Sequence, residues 1–98
     1  MLTEPLNDQH ITESKPTIKA NLASMGDVDP KSVEIRISGF GLVPALYDSK
    51  TKLVTYAFTQ KLVPKMYIVI LTAKVNGQKV ETRWDFTVDP AERIATVQ

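Results

Sequence analysis

Apolar and polar residues alternate in short runs along most of this chain. Val33, Ile35 and Ile37 alternate with Glu34, Arg36 and Ser38 in the clearest period-two run. Successive side chains of a strand point to opposite faces, so such a run predicts a strand with one buried face. Ile18, Ala20 and Leu22 alternate with Thr17, Lys19 and Asn21 and predict the first strand. Val54, Tyr56 and Phe58 share one face of another. Residues 42–47 read as a weaker strand interrupted by Pro44, which cannot donate to a ladder and points to an edge or a bulge. Met66 to Val75 is the longest strand, and Asn76-Gly77 follows it. Asn and Gly both tolerate positive φ, as a two-residue type I′ turn requires, so 66–75 and 79–88 are expected to pair antiparallel. In the last strand Trp84, Phe86 and Val88 share a face opposite Arg83, Asp85 and Thr87.

Turn-rich segments separate these runs: Ser24 to Pro30, Gly39-Phe40-Gly41, Asp48 to Thr51, Gln60 to Lys65 and Asp89-Pro90. No stretch sustains a helical period. Residues 1–15 are polar and aperiodic and read as a tail or linker, 16–90 as the domain and 91–98 as a C-terminal linker. The spacing of strands and turns predicts an all-β fold, a β-sandwich of about seven antiparallel strands in two sheets.

Composition narrows the function. Val, Ile and Thr together supply 27 of 98 residues, which suits pleated surfaces. Twelve Lys and Arg against 11 Asp and Glu leave a net charge of +1, so no whole-domain footprint for nucleic acid or an anionic membrane is present. The longest apolar run, Tyr67 to Leu71, is far short of the roughly 20 residues of a membrane helix, and no membrane insertion is expected. The start, Met1-Leu2-Thr3-Glu4-Pro5, lacks a basic n-region and an apolar run and so reads as no signal peptide. Zero Cys removes disulfides, thiolate metal sites and a Cys nucleophile.

The ordered motifs resemble a known family. Ser32-Val33-Glu34-Ile35-Arg36-Ile37-Ser38-Gly39 is similar to the S-V-x-V-x-V-D-G segment of bacterial immunoglobulin-like domains. Val54-Thr55-Tyr56 with Leu62 resembles their V-x-Y-x-P…L segment. Tyr67 to Ala73, Asn76-Gly77 and Trp84-Asp85-Phe86-Thr87-Val88 resemble their closing hairpin. The sequence departs from that pattern at Phe58, Lys65 and Val75, where the family often has Pro, Gly and Asp. The resemblance implies that the sandwich is immunoglobulin-like (Ig-like) with Greek-key connections, and that it is a spacer, adhesion or docking module of an exported bacterial protein, extracellular, at the cell surface or periplasmic.

Candidate sites are few. Asp27 and Asp29 form a D-x-D in a loop and Asp89 lies at the far boundary, but a hard cation needs six to eight oxygens, and the reading preferred here is a turn leading into a strand. His10 is the sole imidazole and falls in the polar tail, where nothing would hold a catalytic base in place. No nucleophile elbow or phosphate-binding glycine loop is present, so no enzyme, cofactor or metal is expected. Trp84 has the parity of the core. Phe40, between two glycines, is the aromatic least explained by packing and the candidate ligand contact. Lys50, Lys52, Lys61 and Lys65 read as protection of a sheet edge rather than as a binding patch.

If Tyr67, Val69, Leu71 and Ala73 face the core, then Met66, Ile68 and Ile70 face outward on a central strand. That face is expected to be covered by a neighbouring domain of the parent chain, a second copy or another protein. The function expected from sequence is therefore a non-catalytic structural or interaction module, with a carbohydrate- or cell-wall-polymer-binding module as the alternative.

Overall fold

The Asn76-Gly77 turn forms as its residue types require, with φ of 51° and 80°, and it joins the two longest strands. In the computed structural model, which describes residues 1–89, these are β8 (Met66–Val75) and β9 (Gln78–Val88), paired antiparallel along the whole of β8. With seven further strands among the described residues they build two sheets. The others are β1 (Leu2–Glu4), β2 (Gln9–Ile11), β3 (Thr17–Asn21), β4 (Glu34–Ile37), β5 (Gly41–Val43), β6 (Leu46–Asp48) and β7 (Leu53–Ala57). One sheet runs β1-β3-β7-β6 and the other β2-β9-β8-β4-β5. The only helical element among the described residues is a 3₁₀ turn at Pro30–Ser32, whose start Asp29 caps by accepting the Lys31 N–H.

The inward parity of each run supplies the core. Ile18, Ala20 and Val54 come from one sheet, and Ile35, Ile37, Tyr67, Val69, Leu71, Trp84, Phe86 and Val88 from the other, all buried. The two inner faces interdigitate as in other sandwiches. Tyr67 stacks on Phe86 at 5.6 Å and donates its hydroxyl to the Val63 carbonyl. Trp84 is 3% exposed, so its predicted place in the core holds.

Three expectations change. The segment 1–15, read as a tail, contributes an edge strand to each sheet: β1 pairs with β3, and β2 lies parallel to β9. The Asp8 N–H donates to the Asp85 carbonyl at 2.8 Å, and Asn7 Oδ1 accepts the Asp85 N–H. Strands of three residues are too short to show a period, so long-range pairing alone defines them. The strand expected over 42–47 is two strands, because the chain passes from β5 in one sheet to β6 in the other at Pro44-Ala45. The third change is a parallel pair, β2 with β9, the one such pair among the described residues, in a sandwich expected to be wholly antiparallel. The linker assigned to 91–98 lies outside the described residues.

Candidate functional site

Register places the functional groups. The outward residues of the five-stranded sheet form lateral rows, because residues directly opposite across a strand pair share a face. One row is Glu34–Thr72–Glu81 and the next is Arg36–Ile70–Arg83. A third row sets Ile68 beside Asp85, and a fourth runs Met66–Thr87–His10 across β8, β9 and β2. Met66, Ile68 and Ile70 do face outward; Met66 is exposed, whereas Ile68 and Ile70 are half-buried. A cavity of about 260 Å³ is lined by Arg36, Ile37, Ser38, Ile68, Ile70 and Arg83.

The fourth row gathers the donor chemistry. His10 Nδ1 lies 3.9 Å from Asp89 Oδ2, and both side chains are substantially exposed. Thr87 stands between His10 and Met66, whose Cα atoms are thus about 9.5 Å apart, twice the strand spacing. That distance is within the joint reach of an imidazole and a thioether leaning toward one point above Thr87. Imidazole, carboxylate and thioether are three different kinds of metal donor. Among the described residues no group of three His, Cys, Asp or Glu side chains forms a metal cluster, so a third side-chain donor beside the His10–Asp89 pair has to be of another kind, and the Met66 thioether is one.

One row away, Asp8, in the turn just before β2, meets Asp85 of β9. A hydrogen bond from the Asp8 side chain holds the Asp85 carboxyl above the usual carboxylate range; desolvation and the Asp8 charge add to this, and Arg83 opposes it. Asp8, Asp85 and Asp89 give this corner of the sheet a negative field that favours a cation.

Elsewhere the side chains serve the fold. Phe40 is half-buried, with its ring 5.3 Å from Phe58 and 6.3 Å from Tyr67. Asp27 donates its N–H to Asn76, and Asp29 caps the 3₁₀ turn, while Asp89 is on the His10 edge. Lys50 and Lys52 lie in the β6–β7 turn, and Lys61 and Lys65 between β7 and β8. Lys65 Nζ sits 5.3 Å from the Tyr67 ring centroid. His10 is the residue that sequence reasoning passed over. It was assigned to a tail, and its pairing to Thr87 comes from a strand 77 positions along the chain.

No family model and no curated protein matches this chain. Solved structures do. The chain is similar to CopC from Methylosinus trichosporium OB3b, with a TM-score of 0.75 and 26% identity over 93% of this chain and 92% of that one. It also shares the fold of PcoC, a copper resistance protein from Escherichia coli, with a TM-score of 0.60 and 17% identity over 89% and 95% of the two chains. The all-β sandwich predicted from sequence is therefore present, and it is a sandwich resembling CopC. The expected function is corrected by the same finding. A spacer or adhesion module, or a carbohydrate-binding one, gives way to likeness with CopC over nearly the whole of both chains. Alternation, an Asn-Gly hairpin and a buried aromatic recur in β-sandwiches of different families, so the motifs that resemble bacterial immunoglobulin-like domains do not separate that family from this fold.

Proposed function

We propose that this chain is a non-catalytic copper-binding β-sandwich of the CopC kind, working in copper resistance in the bacterial periplasm. The observation that carries the reading is the likeness to CopC over nearly the whole of both chains. The donors available to it are His10, Asp89 and Met66, all on the outer face of the five-stranded sheet. Imidazole and carboxylate suit Cu(II), and a thioether suits Cu(I). Three exposed side chains leave coordination positions to water or to an incoming ligand. Such a site suits an ion that is to be passed on rather than kept. Copper is cargo here, and no reaction on it is required of the chain.

The test is a titration of the metal-free protein with Cu(II), followed by electron paramagnetic resonance and by amide NMR. One equivalent is expected to bind, with the signature of a single imidazole nitrogen and broadening centred on His10, Thr87 and Asp89. The variant His10→Gln is expected to lose both. Absence of saturable binding would overturn the copper reading. Binding that survives His10→Gln would keep copper but overturn this donor set.

A further inference from the structure

The outer face of the five-stranded sheet carries a charge order that is complementary to itself when reversed. Along β9 the outward charged residues are Lys79, Glu81, Arg83 and Asp85, alternating positive and negative. Read in the opposite direction, every charge meets its opposite. β4 repeats the order at its own position, with Glu34 beside Thr72 and Arg36 beside Ile70.

We propose that this face binds a second copy of the chain across a two-fold axis lying between the Glu34–Thr72–Glu81 row and the Arg36–Ile70–Arg83 row. A rotation about that axis, perpendicular to the strands and parallel to the sheet, lays β4, β8 and β9 over the same strands of the partner in reversed direction. The register then fixes every pairing. Glu34 meets Arg36 of the partner subunit, Glu81 meets Arg83 of the partner subunit, and Lys79 meets Asp85 of the partner subunit. One axis satisfies all three pairs, each twice, as a closed isologous interface requires.

The apolar centre agrees. Ile70 faces the partner's Thr72, and Ile68 faces the aliphatic stem of the partner's Lys74. That stem enters the cavity of about 260 Å³ between Arg36 and Arg83. Aligned packing of two sheets is an ordinary arrangement for twisted strands. Among the described residues of one chain, the only one of these partnerships made is Arg36 with Glu34, at 3.5 Å on the exposed surface, where such a pair contributes little and is readily exchanged. Three strands' width makes a small interface, so the association is expected to depend on concentration and to weaken with salt.

The test uses the metal-free chain, so its outcome is independent of copper binding. Sedimentation velocity across a concentration series is expected to show a monomer–dimer equilibrium. Arg83→Glu alone sets Glu81 of each copy against a second carboxylate, and Glu81→Arg alone sets two guanidinium groups together. Each is expected to weaken association by about tenfold or more through like-charge contact. The two single variants mixed together restore complementarity and are expected to dimerise with each other, as is the double variant Glu81→Arg/Arg83→Glu with itself. A wild-type chain that stays monomeric throughout, or a dimer indifferent to both single reversals, would overturn the proposal. So would mixed single variants that fail to pair.

Discussion

Asn76 Oδ1 accepts the Asp27 N–H at 3.0 Å, while the Asn76 N–H donates to the Asp27 carbonyl at 2.8 Å. This reciprocal pair clamps the β3–β4 loop to the tip of the β8–β9 hairpin. Gly26 lies beneath it at φ of +120°, and a Cβ placed there would come within 2.8 Å of the Asn76 amide. Asn76 thus serves two ends at once, taking the positive φ of the turn and closing the loop.

Loss of that clamp is expected to be visible in stability. Asn76→Ala removes the acceptor and the side chain that tolerates positive φ, and a cost of about 1–2 kcal/mol is expected. Gly26→Ala combines a clash with a forbidden backbone region and is expected to cost at least about as much. Urea denaturation midpoints of the two variants measure both effects.

Trp84 is buried against the opposite sheet, yet its indole Nε1 has no hydrogen-bond partner among the described residues. Trp84→Ala is expected to lose about 3–5 kcal/mol, a large share of the stability of a domain this size. Trp84→Phe removes the unpartnered N–H with most of the ring retained, and it is expected to lose much less. Thermal or urea unfolding of the pair separates volume from polarity.

The Asp8–Asp85 contact predicts a pH dependence. The folded chain holds a proton on Asp85 that the unfolded chain releases more readily. This contribution is therefore fully present below the ordinary Asp value and is lost as pH rises through the raised value of Asp85. Asp8→Asn removes the like charge and keeps a residue suited to the positive φ of 65° at this position. The variant is expected to gain stability over wild type at neutral pH and to lose that advantage near about pH 4. Unfolding midpoints measured for both proteins across that range give the difference.

Met66 and His10 are expected to divide the oxidation states of copper. Met66→Leu keeps the apolar volume and removes the thioether, so Cu(I) affinity is expected to fall by about tenfold or more, equivalent to ~1.4 kcal/mol, with Cu(II) affinity unchanged. His10→Gln is expected to act on Cu(II). Competition with a chromophoric chelator under reducing and oxidising conditions reads the two affinities separately.

The sequence by itself determined what depends on neighbouring residues. Alternation at Val33 to Ile37 and Trp84 to Val88 assigned inward and outward faces, because a strand's period is two whatever its partners. Asn76-Gly77 determined the hairpin, because its residue types match the turn's backbone angles. The outward placement of Met66, Ile68 and Ile70 followed from the same parity. Tertiary structure decided everything that rests on a partner far along the chain. β1 and β2 hold three residues each, too few for a pattern, and exist by pairing with β3 and β9. That pairing turned His10 from a tail residue into a neighbour of Asp89, in one row with Met66. The charge order of β9 was legible in the sequence, but its coincidence with that of β4 across Thr72 and Ile70 was not. Register is set by hydrogen bonds between strands distant in sequence, and those bonds decide which outward side chains become neighbours.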